Sequence, residues 1–210
     1  MFLVCALIGY ILGSLPVSLT VGKLLRGVDV RDSGSGKTGA TNVLRTLGWK
    51  FAIPIIGWDI GKGILAVLIS RALTDSNAAD ALAAAGVLIG HVWPITSGFR
   101  GGRGVMTGLG TLYVLSPITS VPGTVFTLSV IAVTRYVSLA SILGSVSQIV
   151  GACIAWQMGK LPMEYAIFVI AGSSLIIWLH RDNIERLRNG TERKIGQKAT
   201  PVKTPVGKAV

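Results

Sequence analysis

The segment DSGSGKTGATN, residues 32 to 42, gathers glycines, hydroxyls and a lysine in a run able to cradle a phosphate. Its core, Gly-Ser-Gly-Lys-Thr, matches the end of the nucleotide phosphate-loop pattern G-x-x-x-x-G-K-[ST], which needs a buried strand before it and a helix after it. Here Arg31 stands where the first glycine should turn the chain, and the preceding GKLLRGVDV closes an apolar run. FAIPIIGWD could imitate the accompanying acidic strand, but it carries Pro54 and belongs to another apolar run. A parallel sheet has nowhere to form, so a nucleotide-hydrolase reading is set aside. What remains is an anion site: small residues around Ser35 and Gly36 that present backbone N–H groups, then Thr41 and Asn42, with charge from Lys37 and Arg45.

Three further segments carry similar chemistry. GHVWPITSGFRGGRGVMTGLG, residues 90 to 110, brackets Gly101 and Gly102 with Arg100 and Arg103 and continues through Gly104 into an apolar helix, with His91 at its start. Two guanidinium forks beside closely approachable backbone suit a phosphate. HRDNIERLRNGTERKIG, residues 180 to 196, sets His180 and Asn183 one turn apart on one helical face, with Glu192 among arginines. TRYVSLAS places Ser138 and Ser141 one turn apart, as hydroxyl donors into a shared space or as simple helix caps. Taken singly, the 32–42 segment also fits a solvated flexible loop, the 90–110 segment the basic residues expected on any cytoplasmic loop, and the 180–196 segment a basic interfacial anchor. Asp59 and Lys62, at i and i+3 inside an apolar run, are expected to neutralise each other structurally.

The elements that must position these residues are apolar. Half of the 210 residues are hydrophobic, only 14% are charged, and the mean hydropathy is +0.64, which points to a membrane protein. Runs of spanning length lie at about 2–22, 51–70, 81–97, 139–156 and 162–180. The first has no basic residue before Lys23 and no convincing cleavage site, so it reads as a retained span and not a leader. Cys5 and Cys153 lie within such runs and are expected to pack as small hydrophobes.

The stretch 105–135 could be one helix or two broken near Ser116 and Pro117. With two, the chain has seven spans, and 17 of the 20 Lys and Arg fall on one side; with one, the bias vanishes. The positive-inside tendency therefore favours seven transmembrane helices, N-terminus outside and C-terminus cytoplasmic, in an all-α integral membrane protein. The two helices between 105 and 134 are expected to be short, reaching about 22 Å each at 1.5 Å per residue. Residues 1–197 form the membrane domain, and 198–210 are read as a basic, disordered tail.

In this order and between apolar runs, SGSGKTGATNVLRTLG, GHVWPITSGFRGGRGVMTGLG and HRDNIERLRNGTERKIG closely resemble the three motifs of the bacterial acyl-phosphate:glycerol-3-phosphate acyltransferases, and WDIGKG and TRYVSLAS resemble that family too. The resemblance implies a multi-pass enzyme of the bacterial inner membrane with its active site on the cytoplasmic face. Such an enzyme transfers a fatty acyl group from acyl phosphate to the 1-hydroxyl of glycerol 3-phosphate, giving lysophosphatidic acid and phosphate in the first acylation of phospholipid synthesis.

On this reading Ser35, Arg45, His180 and Asn183 are catalytic. Gly36, Thr41, Asn42, His91, Arg100, Gly101, Gly102, Arg103, Gly104, Ser138, Ser141 and Glu192 bind substrate. No metal or other cofactor is expected, and neither nucleotide nor coenzyme A has a site. Partners are the two substrates, membrane lipid and the enzyme that produces acyl phosphate, with no nucleic acid. Lys37 and Thr38 depart from the family's usual Asn-Ile, Arg100 and Arg103 from its lysines, and Trp93 from its Phe. From a different class, a small transporter or channel for an organic phosphate would also use basic loops.

Overall fold

The computed structural model describes residues 1–197, and the expected tail at 198–210 lies outside them. Ten α-helices run in chain order: α1 (Phe2–Gly13), α2 (Val17–Arg26), α3 (Ala40–Leu47), α4 (Trp49–Leu73), α5 (Asn77–Val92), α6 (Val105–Leu115), α7 (Pro117–Thr134), α8 (Val137–Gln157), α9 (Met163–Leu179) and α10 (Arg181–Arg188). There is no strand among the described residues. Five helical segments are long and apolar enough to cross a membrane, with α1 and α2 counted together as Phe2–Arg26. A sixth follows if α9 and α10, bent by 53°, form one span. Leu3 and Val133 are 82% and 84% exposed, a costly arrangement in water and a natural one against lipid. The chain is a multi-pass membrane protein.

The stretch 105–135 is broken where Ser116 and Pro117 suggest, but unevenly: α6 has 11 residues and α7 has 18. Pro117 begins α7, where its missing N–H leaves no bond unmade. At 1.5 Å per residue α6 reaches only about 16 Å, which leaves it too short to cross.

Apolar side chains cannot drive association between helices already in hydrocarbon, so close packing must. α1 lies on α5 through paired small-residue seams: Gly9 and Gly13 face Ala83 and Val87, while Gly86 and Gly90 face Ala6 and Tyr10. A Cβ on any of these four glycines would run into a facing backbone carbonyl. Gly63 of α4 and Gly110 of α6 interlock in the same way against Thr107 and Ile60. Between α5, α6, α8 and α9 sits a larger core that includes Leu88, Leu112, Ala152, Phe168 and Val169.

The basic connecting segments come together at one end of this bundle. Arg31 donates to the carbonyl of Ser97 at 3.1 Å and Thr38 N–H to Gly101 at 3.5 Å. Arg103 Nε donates to the carbonyl of Leu179 at 3.2 Å, and Ile195 N–H to Arg135 at 2.8 Å. On the far side, Asp80 accepts from Arg71 at 3.0 Å and from Tyr165 at 2.8 Å, tying α4, α5 and α9.

Candidate active site

Asn42 shapes the first loop. Its amide nitrogen donates to the carbonyls of Val30 (2.6 Å), Ser33 (3.1 Å) and Lys37 (2.9 Å), while its Oδ1 accepts from the Ser35 N–H at 3.0 Å. Asn42 therefore holds the loop together, and it also lines the cavity described below. Gly36 permits the turn with φ +67°, and its N–H bonds the carbonyl of Ser33 at 3.3 Å. Arg31, at the would-be first glycine of a phosphate loop, pairs with Asp29 at 2.7 Å, and that hydrogen bond holds the Asp29 carboxyl down at about 2.

The second loop rests on a buried triad. Lys62 Nζ lies 2.7 Å from Asp59 Oδ1 and 2.8 Å from His91 Nδ1. An ammonium can only donate, so His91 accepts through Nδ1. The expected Asp59–Lys62 pair therefore has a third member, which sequence spacing could not show because His91 comes from another helix. Directly above it Gly102 N–H bonds the His91 carbonyl at 3.1 Å and Gly101 N–H that of Val92 at 3.2 Å. A Cβ on Gly102 would run into the His91 ring. Both glycines thus serve close packing with their amides already bonded, and His91 supports the loop from below. Arg100 is exposed and does not line the cavity described next. Of these four, His91 also lines that cavity.

The third element is drawn inward by Glu192. Its Oε1 accepts from Ser138 and from Asn183, each at 2.8 Å, and its Oε2 from Arg186 at 2.7 Å. Burial alone would raise the carboxyl, but the bonds from Arg186, Asn183 and Ser138 outweigh it and hold it below its ordinary value. Glu192 and Ser138 are therefore struts as much as site residues.

These elements enclose one cavity of about 480 Å³. Its polar part brings together Ser35, Thr41, Asn42, Arg45, His91, Arg103, Gly104, Ser138, Ser141, His180, Asn183 and Glu192 from four separate segments, with Lys37 beside them. The opening turn of α3, where N–H groups lack intrahelical partners, also lines it. The rest is mostly apolar, walled by residues such as Ile60, Leu109, Leu128, Ile131, Phe168 and Ile176 from α4, α6, α7 and α9.

Several polar atoms here are unusual. Arg45 donates through Nη2 to the Arg193 carbonyl at 3.1 Å, yet its buried Nε has no partner among the described residues. Asn183 Oδ1 is likewise buried without a partner. Burial pushes Arg103 down to about 10 and lowers Arg45 too, but both stay charged at neutral pH. His180 Nδ1 lies 2.8 Å from the Ile176 carbonyl. A carbonyl only accepts, so Nδ1 carries a proton and Nε2 is left to face other groups. A buried donor and a buried acceptor, unpaired in one cationic pocket, complement a molecule bearing both an anionic oxygen and a hydroxyl.

The sequence profile described as Glycerol-3-phosphate acyltransferase matches residues 3–190. The chain belongs to the glycerol-3-phosphate acyltransferase family. A relative of that name from Thermoanaerobacter sp. (strain X514) is 41% identical over 193 residues, covering 92% of this chain and 95% of the relative. A crystal structure of PlsY (YgiH), an integral membrane glycerol 3-phosphate acyltransferase in its glycerol 3-phosphate form, superposes with a TM-score of 0.84 at 35% identity, over 93% of this chain and 96% of that one. Its lysophosphatidic acid form gives 0.81 at 34% identity, over 93% and 95%.

Two features of this acyltransferase escaped sequence reasoning. One is the Lys62–His91 contact. The other is the continuation of the Ser138–Ser141 pair by Ser145 and Gln148 along one buried face of α8, at a spacing of three, four and three that the sequence displays. Lys37 is half-buried, and its pKa is lowered by burial and by nearby Arg103. Since Arg45 and Arg103 already supply buried charge, Lys37→Asn is expected to keep kcat/KM within about fivefold. A loss of a hundredfold in an acyl-transfer assay would make Lys37 part of the phosphate site.

Proposed function

We propose that this protein transfers a fatty acyl group from acyl phosphate to the 1-hydroxyl of glycerol 3-phosphate, releasing 1-acyl-glycerol 3-phosphate and inorganic phosphate. The observation that carries the reading is the pair of unpartnered buried atoms, Arg45 Nε and Asn183 Oδ1, at the polar end of a cavity whose other end is apolar. Glycerol 3-phosphate offers a phosphate oxygen to the first and a hydroxyl to the second, and the apolar part suits a fatty chain.

An acyl phosphate is a mixed anhydride with a good leaving group, so positioning and oxyanion stabilisation account for most of the catalysis. The C1 oxygen attacks the acyl carbon, the new ester C–O bond forms, and the bond from acyl carbon to phosphate oxygen breaks. Arg45, Arg103 and Ser35 hold phosphate charge, with the first-turn N–H groups of α3 beside Thr41 as further donors. The hydroxyl proton passes to an acceptor in the same pocket, His180 Nε2 or an oxygen of a bound phosphate.

The basic end of the bundle faces the cytosol of a bacterial inner membrane in this proposal, and the chain enters with its N-terminus outside. Seven membrane segments result, with α6 dipping only partway and α7 returning. Residues 1–197 act as one acyltransferase domain.

Purified full-length protein in lipid, given acyl phosphate and glycerol 3-phosphate without ATP or metal, is expected to release phosphate and lysophosphatidic acid in equal amounts. Flux of glycerol 3-phosphate across vesicles with no conversion would overturn the reading in favour of a transporter.

A further inference from the structure

The apolar end of the cavity has a polar floor. Gln148 of α8 lines it and is 7% exposed; its Nε2 makes a long 3.4 Å contact to the Thr119 carbonyl, and its Oε1 is buried with no partner among the described residues. Beside it, Tyr113 of α6 and Thr124 of α7 also line the cavity and bond each other through their hydroxyls at 3.0 Å. Each of α6, α7 and α8 therefore contributes one polar group to this end. On α8, Gln148 lies seven residues beyond Ser141, about 10 Å deeper at 1.5 Å per residue, in the same cavity as Arg45 and Arg103.

We infer that Gln148, with the Tyr113–Thr124 pair, ends the channel for the hydrocarbon tail of the acyl donor and so sets the acyl-chain length this protein accepts. The inference rests on the proposed function, since it takes the occupant of the apolar end to be that tail. Gly123, which faces Gln148 from α7, makes room for the amide: a Cβ there would run into Nε2. Each methylene that leaves water for an apolar wall adds about fourfold in affinity. A methylene pressed against an unpaired amide oxygen gains no such cover and desolvates the oxygen further. Affinity should therefore climb with chain length and stop where the tail meets Gln148.

The test is binding of a graded series of alkyl phosphates to the full chain in lipid nanodiscs, read by competition with one labelled member, which needs no turnover. In the wild type, affinity referred to the free aqueous concentration of each alkyl phosphate is expected to rise about fourfold per methylene and then level off. Gln148→Leu keeps the volume and removes the polarity; Gln148→Ala removes both. Both should move the levelling point to longer chains, and in Gln148→Ala a tail two methylenes beyond the wild-type limit should bind about 15-fold tighter than it does to wild type. A purely structural role would lower affinity evenly at every length. An unchanged levelling point in both variants, a wild type with no levelling point, or no binding of the series by wild type would each overturn the inference. Absence of acyl transfer with the shift intact would instead overturn the reaction and leave the length limit standing.

Discussion

Arg45→Ala is expected to lower acyl transfer by about 10²–10³-fold, the loss typical of removing one preorganised donor from a reacting anion, while thermal stability holds or rises. The two effects separate because Arg45 is poorly satisfied in the free protein. Burial lowers its pKa, and its Nε lacks a partner among the described residues. Removing a half-satisfied buried cation costs the fold little and can stabilise it. The bound phosphate supplies the missing acceptor. Glycerol 3-phosphate should therefore raise the melting temperature of the wild type and leave that of the variant unchanged. Arg45→Lys should recover only part of the rate, because a point charge cannot reproduce the fork. Wild-type rates in Arg45→Ala would remove this residue from the site.

Glu192→Ala is expected to fail in the opposite manner, losing stability and activity together. The carboxylate, with its side chain 2% exposed, joins Ser138 on α8, Asn183 on α10 and Arg186. Its removal leaves a buried hydroxyl and an arginine without their acceptor and frees Asn183 to rotate, at a cost of about 2–4 kcal/mol. Activity should fall at least tenfold even in the folded fraction, since Asn183 loses its fixed orientation. Thermal melting and single-turnover rates at matched folded fraction check this. Glu192→Gln should be intermediate. The same carboxylate makes the fold acid-sensitive in a defined direction. Its folded pKa lies below the ordinary value of 4.5, so its stabilisation is full above that value and is lost as pH falls through the lower folded value.

Apolar run length and charge placement made the helices legible. Pro117 marked the break between α6 and α7, because proline is favoured at the start of a helix and disfavoured in its interior, although α4 and α7 each carry one internally, Pro54 and Pro122. The uneven lengths follow from that break by counting, 11 residues before it and 18 after, and the expectation of two equal short helices did not carry the count through. The α1–α5 seam was written in the sequence as Gly9 with Gly13 and Gly86 with Gly90. Which helix would fill each seam depended on chain connectivity.

Within the site, residue types were legible and roles were not. Arg45, Arg103, His180 and Asn183 stood out because charge and polarity are costly beside apolar spans, and the structure gathers all four around one cavity. Asn42 and Gly102 carry chemistry suited to phosphate, but their spacing could not show that the Asn42 amide also holds three loop carbonyls or that Gly102 packs on the His91 backbone and ring.

The sequence by itself determined that this chain is helical, membrane-embedded and equipped with several basic phosphate-suited loops, because these properties follow from composition, spacing and the cost of charge in hydrocarbon. Only the tertiary structure decided which polar atoms remain unpaired. A hydrogen bond joins partners as far apart as Arg45 and Arg193 or Ser138 and Glu192, and whether Arg45 Nε or Asn183 Oδ1 still seeks a partner is known only after the intramolecular bonds are assigned.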